Sequence, residues 1–276
     1  VYDGTTMAPG ASVSGTVTGA IAGDTISLVT SGIGLAYDSS HVATATGIVA
    51  SGASGFDIVS NVSLASDYSF TPPVIANAAA TITPAPLTVS LTNTSPSRVY
   101  DGSTAAPTGF TPTFAASGLV AGDTAISLTS TGAAYDSHRV TEASTITVTG
   151  IAIDAITGGN DSRPSDYALT STQADLAATL TPATLTATVT GGTNKVYDGS
   201  AAMAGVSLGL DGVLGSDAVT VTSNGGSFGT HHAGTQLGYT VGGVALGGHD
   251  AGNYQLAGGA SLSGSDGTIT PRPLAA

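Results

Sequence analysis

The chain has no cysteine and no tryptophan, and among its 276 residues it carries one lysine, Lys195, and one glutamate, Glu142. Without cysteine there are no disulfide staples, no thiol nucleophile and no cysteine-based zinc site. That absence does not point to the cytosol, because long exported bacterial proteins commonly avoid cysteine. No apolar run reaches the roughly 20 residues that a membrane helix needs, so no membrane span is expected. Charged residues make up only 8% of the chain, against roughly a quarter in an average soluble domain. Ser, Thr, Gly and Asn must therefore dress the surface. Eighteen acids against five bases leave a net charge of −13. Such a surface repels nucleic acid and anionic membrane, which excludes both as partners, but it attracts divalent cations. Aromatic residues are 5% of the chain, so small cores of Val, Ile, Leu and Ala are expected. Val1 shows no signal-peptide pattern and falls inside a repeated motif, which reads as a piece of a larger polypeptide.

What the chain does have is repetition, the feature to seek first. Val-Tyr-Asp-Gly occurs at Val1–Gly4, Val99–Gly102 and Val196–Gly199. Four further landmarks follow each copy in fixed order. The first is Gly23-Asp24-Thr25, matched by Gly122-Asp123-Thr124 and, more weakly, Gly215-Ser216-Asp217. The second is Tyr37-Asp38-Ser39-Ser40-His41, matched by Tyr135-Asp136-Ser137-His138 and Phe228-Gly229-Thr230-His231-His232. The third is Asp67-Tyr68, matched by Asp166-Tyr167 and Asn253-Tyr254, and the last is a closing Thr-Ile/Leu-Thr-Pro ending at Pro84, Pro182 and Pro271. The expected units are 1–84, which lacks a leading strand, then 85–182 and 183–271, with 272–276 opening a further repeat. With domains of about 100 residues, three units suit this length.

Each unit reads as β. Leu87, Val89 and Leu91 alternate with Thr88, Ser90 and Thr92, and Ile146-Thr147-Val148-Thr149 and Tyr239-Thr240-Val241 do the same. Period two with β-branched residues marks half-buried strands, and glycine pairs such as Gly158-Gly159 and Gly258-Gly259 punctuate them as turns. The fold class expected is all-β: a tandem array of three small antiparallel, immunoglobulin-like sandwiches, with a β-grasp-like unit as the alternative. Stiff Pro84-Ala85-Pro86 and Pro271-Arg272-Pro273 junctions suit a rod.

These motifs as a set resemble the YDG-type repeat, related to MBG repeats, of large bacterial filamentous-haemagglutinin-like surface adhesins. The resemblance spans essentially the whole chain. It implies a secreted, extracellular segment on a bacterial cell surface, and it names no ligand.

In Tyr2-Asp3-Gly4, Tyr100-Asp101-Gly102 and Tyr197-Asp198-Gly199 the expected role is structural. Glycine supplies the turn angle, aspartate bonds its own downstream amides, and tyrosine anchors the turn on the core. Asp38-Ser39-Ser40-His41 and Asp136-Ser137-His138 contain the residue types of a catalytic triad, but neighbours on an extended strand face opposite sides and do not converge. His231-His232 is expected to split across two faces, against a metal site. Paired carboxylates for glycoside hydrolysis lack a tryptophan platform. No enzyme activity and no catalytic residue are expected. No cofactor is expected beyond calcium, for which the oxygen-rich loops with Asp154, Asn160 and Asp161, and with Asp250 and Asn253, are weak candidates that turn chemistry explains equally well. The expected function is a structural stalk or adhesive segment that extends an adhesin or forms extracellular fibre. Its partners are neighbouring repeats of the same chain, a host or matrix glycan or protein, or further copies of itself. One alternative is a binding module using loop Tyr and Asp, with Tyr37 and Tyr135 the residues to inspect. Another is a filament subunit assembled by strand exchange.

Overall fold

The structure is a computed structural model that describes residues 1–52 and 56–275; Ala276, the last residue of the expected further repeat, lies outside the described residues. It is all-β, with many short strands in small sheets. The only helical elements among the described residues are single 3-10 turns, at Ala65–Asp67, Pro164–Asp166 and Ala251–Asn253, one just before the late Tyr of each repeat. No described helix is long and apolar enough to cross a membrane.

The alternation read from sequence is what the strands bury. In the strand Ala85–Leu91, Ala85 and Leu87 are buried, Val89 and Leu91 are half-buried, and the intervening residues face solvent. Ile146 and Val148 are fully buried in Thr145–Thr149. Most ladders are antiparallel, as in Ala152–Gly158 on Asp123–Thr129 and Ser261–Thr270 on Gly234–Gly242. Parallel pairs recur beside them in corresponding places. The strand that opens a repeat pairs parallel with the strand carrying its late tyrosine: Ala85–Leu91 with Tyr167–Leu169, and Ala183–Gly191 with Tyr254–Leu256. The strand leading into Tyr-Asp-Gly pairs parallel with the closing Thr-x-Thr: Ser97–Val99 with Thr179–Thr181, and Asn194–Val196 with Ser261–Thr270. The first and last landmarks of one repeat are thereby hydrogen-bonded to each other.

The chain forms two compact units, one of residues 1–92, 114–131 and 149–174, the other of residues 93–113, 132–148 and 175–276. The second sequence repeat contributes residues to both. The core of the first unit combines Tyr2, Ala45 and Ile82 with Ala85, Leu87 and Tyr167. The core of the second includes Ala187, Met203, Phe228, Tyr239, Val241, Val244 and Ile269. The cores expected from Val, Ile, Leu and Ala also hold aromatic rings: Tyr2, Tyr100, Tyr135, Tyr167, Tyr239 and Tyr254 are all buried. A tyrosine removes a large apolar area from water at a small entropic cost and brings a polar tip that needs a partner. Few rings are needed if each is placed at a junction.

Candidate functional site

The Tyr-Asp-Gly turn has the same anatomy three times. Asp3 Oδ1 accepts hydrogen bonds from the Thr5 amide (2.9 Å) and hydroxyl (2.8 Å). Asp101 and Asp198 do the same for Ser103 and Ser200. Gly4, Gly102 and Gly199 follow with φ of 80°, 81° and 85°, a left-handed conformation that costs a residue with a Cβ about 1–2 kcal/mol. The tyrosine amide donates to the closing threonine carbonyl, Tyr2 to Thr83, Tyr100 to Thr181 and Tyr197 to Thr270, each at 2.8 Å. Two of the chain's five lysine and arginine side chains serve this turn. Lys195 Nζ bonds Asp198 (2.8 Å) and the Ser200 and Ala202 carbonyls, and Arg98 binds Asp101 and the Ser103 carbonyl while lying 5.5 Å over the Tyr135 ring. The Lys195 ammonium and the Ser200 donors hold the Asp198 carboxyl down at about 2.

Beyond their own turns, Tyr2 and Tyr100 reach into the next repeat. Tyr2 is 2% exposed and packs edge-to-face on Tyr167, with centroids 5.6 Å apart and planes at 69°. Ser162 donates its proton to Asp123 Oδ2 (2.6 Å), so the Tyr2 hydroxyl, 2.5 Å from Ser162 Oγ, is the donor of that pair. Tyr167 donates to the same Asp123 oxygen and accepts the Val120 amide at 2.9 Å. Tyr100 repeats the contact one repeat later. It packs edge-to-face on Tyr254 (5.4 Å, 78°) and donates to Asp217 Oδ2 at 2.8 Å, while Tyr254 donates to that oxygen at 2.6 Å and accepts the Leu214 amide at 3.0 Å. Burial, and then the bond to the negative carboxylate, push the phenols of Tyr100 and Tyr167 up to about 12. Both causes favour a neutral phenol beside an ionised acid.

The second strut of each joint comes from the Tyr-Asp-Ser-His landmark. It was expected to be extended, but it is a turn, because Asp38 accepts the Thr46 amide (2.9 Å) and Asp136 the Ser144 amide (3.0 Å), closing the segment on itself. Ser39 bonds Thr44 at 2.6 Å, and His41 Nδ1 lies 2.8 Å from Asp166 Oδ2 of the next repeat. Asp166 is fully buried; its Oδ1 accepts the Val42 amide and its Oδ2 the Arg163 amide, both at 2.8 Å. In the second joint Arg139 stands where His41 does and lies 3.4 Å from Asp250, while buried Asn253 accepts the Val140 amide at 3.0 Å. Each joint lies inside one compact unit.

Asp38, Ser39 and His41 thus serve separate partners and form no relay. The His231 and His232 rings, expected on opposite faces, lie 4.0 Å apart. Among the described residues no three His, Asp or Glu side chains gather where a metal ion would bind. Of the calcium candidates, Asp154 accepts the Ser127 hydroxyl (3.1 Å), Asn160 donates to the Ala121 carbonyl (2.9 Å), and Asp161 takes a positive φ of 52°. Asp250 and Asn253 are joint residues: Asp250 accepts the Ala218 amide at 2.9 Å. Tyr135 is buried and donates to the Thr179 carbonyl at 3.0 Å, and Tyr37 is half-buried. Sequence reasoning missed the pairing of Tyr2 with Asp123, Ser162 and Tyr167, and of Tyr100 with Asp217 and Tyr254. The signal was present, since Gly-Asp-Thr and Asp/Asn-Tyr recur in step with Tyr-Asp-Gly.

No curated protein matches the chain, and no solved structure matches it. A family model does: the YDG domain, over residues 83–174 and 181–262. Each matched stretch holds a complete Tyr-Asp-Gly turn together with the aspartate and late tyrosine that receive the preceding repeat, and together they cover more than half of the sequence. The chain belongs to the YDG domain family.

Proposed function

We propose that this chain is a structural segment of a secreted bacterial cell-surface protein, carrying an adhesive region away from the cell or forming extracellular fibre with its neighbours. One observation carries the reading: two of the three Tyr-Asp-Gly tyrosines, Tyr2 and Tyr100, are consumed in joints between successive repeats. Tyr2 and Tyr100 are buried against Tyr167 and Tyr254, so the most distinctive side chains of the repeat serve cohesion. Stability in such arrays is approximately a sum of repeat and nearest-neighbour terms, so length can grow without a larger core. A surface of Ser, Thr and Gly with few charges suits a spacer. A binding module built on Tyr135 is disfavoured, since that ring is 3% exposed beneath Arg98.

Protease shaving of intact source cells is the test. Release of peptides from this chain without cell lysis is the expected result. Recovery of the chain only from the soluble cell interior overturns the reading.

A further inference from the structure

Each of the second and third repeats begins and ends on strands that lie side by side and point the same way. In the second repeat the chain enters along Ala85–Leu91, passes through 92–96 into Ser97–Val99, and leaves through Thr179–Thr181. Ser97 stands opposite Thr179 and Val99 opposite Thr181 in a parallel ladder. The Thr179 amide donates to the Pro96 carbonyl at 2.9 Å and the Tyr100 amide to the Thr181 carbonyl at 2.8 Å. The third repeat is built alike: Asn194–Val196 enters, 268–270 leaves, and the ladder between them is parallel. Its Thr268 and Tyr197 amides donate to the Thr193 and Thr270 carbonyls, each at 2.8 Å. The Thr181 and Thr270 hydroxyls add bonds to the Arg98 and Lys195 carbonyls, at 3.2 and 3.3 Å.

Parallel pairing of the entering and leaving strands decides how a repeat meets tension. A pull along the chain draws the entering strand by its amino end and the leaving strand by its carboxyl end. In a parallel ladder those are opposite ends, so the strands part only by sliding, and sliding strains all the slanted bonds together. In an antiparallel pair the same pull reaches both strands at one end of the ladder, and the bonds open one at a time. A second parallel ladder, Ala85–Leu91 along Tyr167–Leu169, backs the first within the second repeat. The strands are also fixed sideways. Leu180 and Ile269 are 3% and 1% exposed, which holds each leaving strand to its core. Arg98 and Lys195 tie each entering strand to the turn after it through the Ser103 and Ser200 carbonyls.

We propose that these ladders are mechanical clamps: tension along the chain loads Ser97–Val99 against Thr179–Thr181, and Asn194–Val196 against 268–270, in shear, and the residues between them stay folded until the ladder gives way. Arg98 and Thr181 lie 83 residues apart in sequence, and Lys195 and Thr270 lie 75 apart. Each ladder of three residue pairs thus shelters most of a repeat. Resistance to force is governed by the rate of crossing the unfolding barrier and not by equilibrium stability, so a short ladder loaded lengthwise protects small cores. The clamp takes its use from the proposed stalk and rests on that reading, but the pull is made on purified chain. Its failure leaves cell-surface location to be judged by protease shaving.

Single-molecule pulling on the full chain tests this. Handles on the two ends load both ladders in shear. The expected result is two force peaks, followed by gains in chain length of roughly 270–300 Å and roughly 250–270 Å for the 83 and 75 sheltered residues, at about 3.3–3.6 Å per residue. Because the chain has no cysteine, Ser95→Cys with Thr179→Cys places a second pair of handles at exposed positions, at the amino ends of both strands of the first ladder. That pull opens the same ladder bond by bond, and the peak force should fall several-fold. Thr179→Pro, which deletes the amide bonded to Pro96, should lower the end-to-end force. Ile146→Val, in the core and off the ladder, should lower the urea midpoint and leave that force unchanged. Equal forces in the two pulling directions overturn the proposal, as does an end-to-end trace without peaks of these lengths. So does Ile146→Val lowering the force as much as Thr179→Pro. If Thr179→Pro has lost its far-ultraviolet β spectrum, the comparison of pulling directions, made with every backbone bond of the ladder in place, decides alone.

Discussion

Replacing Tyr100 by Phe removes one hydroxyl from the second joint and leaves the ring in place. The ring keeps its edge-to-face contact with Tyr254, and Asp217 keeps the Tyr254 hydroxyl. What is lost is a 2.8 Å bond to an ionised carboxylate. Hydrogen bonds to charged groups contribute about 1.5–3 kcal/mol, and because Asp217 is only half-buried the lower end applies, about 1.5 kcal/mol, or roughly a tenfold change in the folded-to-unfolded ratio. Tyr197→Phe is the internal control: the motif and turn are the same, but the hydroxyl is bonded to no described residue, so the expected change is within about 0.5 kcal/mol. Urea unfolding followed by tyrosine fluorescence and far-ultraviolet circular dichroism measures both. The midpoint should move and the slope should not. Repeating Tyr100→Phe in an Asp217→Ala background closes a double-mutant cycle, with an expected coupling of about 1 kcal/mol. If Tyr100→Phe and Tyr197→Phe cost the same, or if the cost of Tyr100→Phe survives loss of Asp217, the hydroxyl does not work through that carboxylate and the account of the joint is wrong.

Gly102→Ala should cost about 1–2 kcal/mol, the left-handed backbone alone, since a Cβ there meets nothing within 4 Å; Gly118→Ala should cost more, its Cβ falling 2.6 Å from the Pro86 carbonyl oxygen. Differential scanning calorimetry ranks the two. Asp166→Asn should destabilise the first unit by about 1–3 kcal/mol, because the amide nitrogen cannot accept from both His41 and the Arg163 amide; chemical denaturation reads it. The phenols of Tyr100 and Tyr167 are raised to about 12 by burial and their carboxylate partners. Their contribution is full below pH 10 and lost as pH rises through 12, at most about 2–3 kcal/mol each, and tyrosinate absorbance should appear together with unfolding in that window. Among the described residues no acidic cluster gathers to hold a cation. Since only a ligand that binds the folded state stabilises it, calcium or a chelator should shift the melting temperature by less than about 1 °C.

Much of this was legible in the sequence because the signals are local. The alternation of Leu87, Val89 and Leu91 fixes which face is buried, and the Asp-Gly turn needs nothing beyond the residue two places on. What was not legible is partnership. Period two says which way a side chain points and not what it meets, so the Tyr2 hydroxyl and Ser162, 160 residues apart, could not be paired by periodicity. The parallel ladders were hidden for the same reason: Ala85–Leu91 has one pattern whether Tyr167–Leu169 runs with it or against it. The Asp38–His41 segment misled because three polar residues and a histidine suit a strand edge and a turn alike. The Thr46 amide eight residues on decides for the turn.

Every repeat carries a Tyr-Asp-Gly tyrosine and an aspartate–tyrosine pair of the kind that receives one: Asp24 with Tyr68, Asp123 with Tyr167 and Asp217 with Tyr254. A recombination event that deletes or duplicates one whole repeat length therefore brings an inserting face next to a receiving face, wherever the crossover falls. A gene built this way can lengthen or shorten its product by slippage without a second compensating change. Only an event that removes a fraction of a repeat leaves an orphaned phenol or an uncovered carboxylate. Copy number is then free to drift while the local grammar stays fixed.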